Sequence, residues 1–185
     1  MPIDSTDTAT HILMSPGYTN SGLDHWQTHL ERSVPRASRV QQASWDDVDH
    51  AAWVEGVQAA LDNLGACERI RVVAHSCGAV AVAQWACERP VDPRVDKLVL
   101  VAPADVDNPV HLPQIASQAP LPRQVIPYPV VLVTSDNDPH LSSSRAGELA
   151  QMWQVEAHHV IKNGGHLATD DGYGRWPWME KLLAD

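Results

Sequence analysis

The 185-residue sequence has no phenylalanine, and only 13 Lys and Arg stand against 23 Asp and Glu. The resulting formal charge of −10 sets up a field that repels polyanions. Nucleic acid and anionic lipid are therefore not expected partners. Apolar runs are short as well. None approaches the ~18 residues that a membrane span needs, and residues 1–10 carry neither a basic start nor an apolar stretch. A cytoplasmic protein with no membrane attachment is expected. Cysteine is scarce: Cys67, Cys77 and Cys87 form an odd set with no CxxC pair, which argues against zinc or redox chemistry. On a helix, Cys77 and Cys87 would stand ~15 Å apart, beyond the ~7 Å reach of a disulfide. Reduced thiols are expected.

Hydrophobic residues make up 44% of the chain and charged residues 19%, a globular balance. A chain of this length can bury roughly 70% of its unfolded surface around one core, so residues 1–185 read as one domain. Short runs rich in Val, Ile and Leu alternate with longer helical stretches, as in a parallel sheet covered on both faces. The candidate strands are His11–Ser15, Arg39–Ala43, Ile70–His75, Lys97–Val101, Val130–Thr134 and Glu156–Ile161. Helical spacing runs from Val48 to Leu64, with Gly65 as a stop. Ala79 to Cys87 is apolar on nearly every side except at Gln84, which predicts an enclosed helix. Ser142–Met152 and Trp178–Leu183 supply two more. The exception to the alternation is residues 103–129, which hold seven prolines and leave room for one short helix around His111–Ser117. An α/β, three-layer fold with about six parallel strands is expected.

The third strand runs through IRVVAHSCG into the AVAVAQWAC helix, delivering Ser76 to a strand-to-helix turn. That is the context of a nucleophile elbow, with Gly78 at the second glycine position of GxSxG and Ala74 at the first. Small neighbours are needed because strand and helix cross closely there. The Cys77 amide, at the helix N-terminus, would then be free to face a developing oxyanion. An ordinary buried serine is the competing reading, and the flanking strand and helix weigh against it. A Cys77 thiolate is another, but the side chain one residue past the apex points away from the site.

A serine hydroxyl needs a base, and the base needs an orienting group. Asp136 and Asp138 lie just beyond the fifth strand, at the edge where such sheets place their sites. An Asp before Pro139 also suits a plain turn, so both carboxylates stay open as candidates. His166 follows Gly164-Gly165 after the last strand, where paired glycines let the backbone swing the ring over the sheet edge. His75 is expected to point into the sheet surroundings. His158 and His159 alternate across a strand, so they cannot readily share a metal ion. No metal and no cofactor is called for. The first strand ends at Ser15-Pro16-Gly17-Tyr18, a Pro-Gly turn opening into residues 20–30. The N–H of Tyr18 is the candidate for a second oxyanion donor, although Pro-Gly is also an ordinary turn.

Together these segments resemble the α/β-hydrolase superfamily, and more narrowly the small serine hydrolases of the retinoblastoma-binding protein nine family. The likeness is carried by SPGY at 15–18, HWQ at 25–27, QASWDD at 42–47, AHSCG at 74–78, SDNDP at 135–139 and GGH at 164–166. It implies Ser76 as nucleophile, His166 as base and Asp138, rather than Asp136, as the orienting acid. It also implies strand order 2-1-3-4-5-6. The expected reaction is hydrolysis of a small carboxylic ester or related acyl substrate, with thioester cleavage or acyl transfer as variants of the same chemistry. A protein-interaction module on the same scaffold is the alternative, with Trp26, Trp45, Trp176 and Trp178 as contact residues if exposed or core residues if not. The short 103–129 segment stands where larger relatives carry a lid, which predicts a shallow site.

Overall fold

The computed structural model describes residues 10–67 and 69–184, so the leader-free reading of residues 1–10 falls, apart from Thr10, outside the described residues. Six strands make one parallel sheet: β1 (Thr10–Ser15), β2 (Ala37–Arg39), β3 (Arg69–His75), β4 (Val95–Val101), β5 (Val130–Ser135) and β6 (Ala157–Ile161). Their order is β2-β1-β3-β4-β5-β6, as the family resemblance implies.

The side-chain alternation of each strand sorts the core into two layers. Leu13, Val72, Leu98, Leu100 and Leu132 face a cluster built with α2 (His50–Asn63), α3 (Cys77–Glu88) and α4 (Ser143–Trp153). Met14, Val73, Val99, Val101 and Val133 face the other way, onto α1 (Trp26–Ser33) and α5 (Pro177–Ala184). Burial on both faces explains why these strands read as continuous apolar runs. No described helix is long and apolar enough to cross a membrane.

Helix α3 is buried at every position from Cys77 to Ala86, which accounts for its lack of a polar face. Its one polar side chain in the middle, Gln84, is itself fully enclosed. The Gln84 amide donates to the carbonyls of Gln118 and Pro120 at 2.6 and 2.9 Å. Gln118 in turn donates to the Cys77 carbonyl at 2.8 Å. The proline-rich stretch is thereby strapped along α3, with Ile115, Leu121 and Ile126 in the core. Its short helix is a 3-10 segment at Pro113–Gln118, two residues later than expected, opening on a proline whose missing N–H costs nothing in a first turn.

Two further segments near β1 differ from the sequence reading in a way that the contacts explain. The second strand lies at 37–39 instead of 39–43, because the Val40 amide makes its bond to the Met14 carbonyl (2.8 Å) and the chain then turns away. Gln42 points inward and donates to the Trp53 carbonyl, taking the segment out of the ladder. The segment after Pro16-Gly17 stays a loop to residue 25, with Thr19 and Asn20 at φ +64° and +67°. Helix α1 starts only at Trp26, where His25 Nδ1 accepts from the Gln27 amide.

Candidate active site

The C-terminal edge of the sheet gathers the ends of β1, β3, β5 and β6. Ser76 follows β3 directly and adopts φ +55°, ψ −124°, a conformation that costs a non-glycine residue about 1–3 kcal/mol and is concentrated at functional sites. The Ser76 amide is bonded to the Val101 carbonyl (3.0 Å), while its own carbonyl accepts from Ala79 and Val80 and starts α3. Gly78 has no room for a side chain, since a Cβ there would collide with the carbonyl oxygens of Ser15 and Pro16. A Cβ on Gly17 would lie 2.9 Å from Ser76 Cβ and 3.3 Å from the Cys77 nitrogen. The β1 loop therefore rests directly on the elbow, and Ala74 at the first glycine position is simply buried.

Ser76, His166 and Asp138 meet although they come from three loops. Ser76 Oγ lies 2.8 Å from His166 Nε2, and His166 Nδ1 lies 2.9 Å from both oxygens of Asp138. The carboxylate can only accept, so the proton sits on Nδ1, leaving Nε2 to accept from the serine hydroxyl. The Asp138 side chain is fully buried, and it also accepts from the His140 amide at 2.8 Å. Asp136 stands elsewhere: its Oδ1 accepts from the Asn163 amide at 2.7 Å. Asn137 accepts from the Gly165 amide (2.7 Å), and Asp171 accepts from the His166 amide (3.0 Å). Three consecutive side chains of SDNDP thus grip the loop that carries His166.

His75 departs from its expected place, because its ring sits 5.0 Å from that of His166 and beside the cavity over Ser76. His75 Nε2 donates to the His166 carbonyl at 2.9 Å, and burial holds its pKa well below the usual histidine value. Trp26 reaches the same loop, its indole N–H donating to the Leu167 carbonyl at 2.9 Å. Gln27 donates to the Ser15 and Val73 carbonyls and accepts from Ser21, joining β1, β3 and the loop between β1 and α1. The HWQ segment is thus a structural junction. Its contacts lie up to 141 residues away, so no local signal in the sequence could expose them.

The Cys77 thiol is buried, and burial pushes its pKa up to about 12 against the pull of the nearby Tyr18 amide. It is no thiolate at neutral pH. Tyr18 and Ser76 line one open cavity of about 290 Å³. His158 bonds Thr134 (2.8 Å) and His159 packs on Trp178, so the two rings face apart. No cluster of three metal-ligating side chains occurs among the described residues. Of the four tryptophans considered as contact residues, Trp26 is core, while Trp45 packs on Trp53 and Trp176 stacks on Trp178, all three half-buried.

A parallel sheet in this order, with a strained serine at the β3 edge, defines a hydrolase of the α/β class. The family model described as Serine hydrolase matches residues 12–185, and the chain belongs to that family. A YdeN-like hydrolase from Pectobacterium atrosepticum is 26% identical, covers 100% of this chain and 96% of its own, and superposes with a TM-score of 0.86. The ydeN gene product of Bacillus subtilis is 20% identical over 94% of this chain and 95% of its own, with a TM-score of 0.74. The carboxylesterase CesB from the same organism shares the fold at 15% identity, over 95% of this chain and 82% of its own, with a TM-score of 0.65. No curated protein matches the sequence.

Proposed function

We propose that this serine hydrolase cleaves a small carboxylic ester through an acyl-enzyme on Ser76, using His166 as base and Asp138 as its orienting acid. The observation that carries the reading is the unbroken chain of hydrogen bonds from Ser76 Oγ through both nitrogens of His166 to Asp138, 2.8 and 2.9 Å long. The Ser76 oxygen attacks the ester carbonyl as its proton passes to His166 Nε2, and the imidazolium then gives that proton to the departing alkoxide. Water repeats the sequence on the acyl-enzyme and frees Ser76 and the acid. Asp138 keeps the imidazole in the tautomer this requires. The amides of Cys77 and Tyr18 stabilise the oxyanion, assisted by the N-terminus of α3. The narrower likeness to the retinoblastoma-binding protein nine family supports the same three roles.

The open cavity and the strapped proline-rich segment favour short acyl groups over long chains. Turnover of p-nitrophenyl acetate should vanish in Ser76→Ala while the variant keeps the thermal midpoint of the parent. An unchanged rate in that variant would remove Ser76 from the mechanism.

A further inference from the structure

His25 lies on the wall of the Ser76 cavity, and its Nε2 is a buried polar atom with no hydrogen-bond partner among the described residues. The residue is 6% exposed. Its other nitrogen, Nδ1, accepts from the Gln27 amide at 3.2 Å as the cap of α1. An imidazole that accepts through Nδ1 and is uncharged must carry its proton on Nε2. Burial, followed by the charges of Arg39 and His166, lowers the His25 pKa to about 4, so the ring is uncharged at neutral pH. A buried N–H without an acceptor costs about 1–3 kcal/mol. Its ring neighbours already have partners: His75 is bonded to the His166 carbonyl and Trp26 to the Leu167 carbonyl. The cavity wall mixes polar and apolar surface, with Asn20, Ser21 and Asp170 beside Leu112 and Ala168.

We infer that His25 is a specificity-determining residue whose Nε2–H donates to an acceptor oxygen on the substrate, so that the preferred substrate is a short ester carrying an ether, hydroxyl or carbonyl oxygen beyond the scissile group. This rests on the hydrolase reading of Ser76. It adds the chemical class of the substrate. A site built around a hydrogen bond discriminates against the analogue lacking it, because the protein group is then left unpaired.

The test uses pairs of near-equal shape. p-Nitrophenyl methoxyacetate and p-nitrophenyl butanoate differ by an oxygen on the acyl side, and 2-methoxyethyl acetate and butyl acetate differ by one on the alcohol side. For each pair, the ratio of kcat/KM is divided by the ratio of hydroxide-catalysed rates, which removes intrinsic reactivity. The wild-type protein should favour the oxygen-bearing member of one pair by about tenfold or more, the effect of one buried hydrogen bond. The pair that responds says which side of the ester meets His25. His25→Asn, which preserves a capping oxygen for α1, should bring that ratio close to one. A wild-type ratio near one in both pairs overturns the inference while leaving the hydrolase intact, and needs no variant to fold. A preference that survives in His25→Asn also overturns it, by assigning the discrimination to another group. Absence of turnover with all four esters, together with no labelling of Ser76 by a fluorophosphonate, would instead remove the hydrolase reading and this inference with it.

Discussion

The elbow around Ser76 and the loop around His166 sit side by side at one sheet edge, yet they are held by different means. The elbow is fixed by backbone: a strained residue, the bond from the Ser76 amide to Val101, and a Gly78 with carbonyl oxygens on its doorstep. The His166 loop lies at the end of β6, an edge strand, and is held by side chains. Asp136, Asn137, Asp138 and Asp171 each accept from it, while His75 donates to it. A nucleophile thus stands on the rigid centre of the sheet, and its base is brought to it by a set of replaceable hydrogen bonds. Damage to the backbone of the first region should appear as lost folding, and damage to the side chains of the second as lost rate.

The largest effect expected is on rate. Asp138→Asn should lower kcat by on the order of 10⁴, since the amide cannot hold His166 in the required tautomer. Steady-state kinetics on p-nitrophenyl acetate would measure it, alongside a thermal midpoint that changes little. Gly78→Ala should do the reverse, destabilising the fold by about 3 kcal/mol because the added methyl meets backbone oxygens that cannot rotate away. Chemical denaturation would read that loss directly. A smaller effect is expected from Asp136→Asn, which keeps an oxygen for the Asn163 amide: under about tenfold in kcat. If this variant were the slower of the two Asp changes, the acid would have to be reassigned.

The smallest effect concerns pH. His25 and His75 are kept uncharged by burial, with His25 lowered to about 4 and His75 lowered well below its ordinary value. As pH falls below about 6.5, the unfolded chain takes up protons that the folded protein refuses, so stability is present at pH 7 and lost on acidification. Cooling of the thermal midpoint between pH 7 and pH 5 should be smaller in His25→Asn than in the parent, by roughly 5 °C. Equal slopes would mean that His25 is not held neutral.

The same contrast governs what could be read from the sequence. The elbow was legible because its signal is local: an apolar strand, a serine, a glycine and an apolar helix within about twenty residues. His166 and the paired acids were legible only as candidates, because what joins them to Ser76 spans about ninety residues of chain. The grips of Asn137 on Gly165, Asp171 on His166 and His75 on the His166 carbonyl had no signal at all, since each is an ordinary polar residue until the loop arrives beside it. The β2 strand was misplaced for a related reason. Gln42 lies in a segment that reads as extended, and only its bond to the Trp53 carbonyl shows that the chain has already left the sheet.

The central claim is that Ser76 is made nucleophilic by the base held above it. Peptide-level mass spectrometry after treatment with a fluorophosphonate tests it most directly. The adduct should appear on Ser76 in the wild-type protein and fade by orders of magnitude in His166→Ala. An adduct on another residue, or undiminished labelling without the imidazole, would contradict the account.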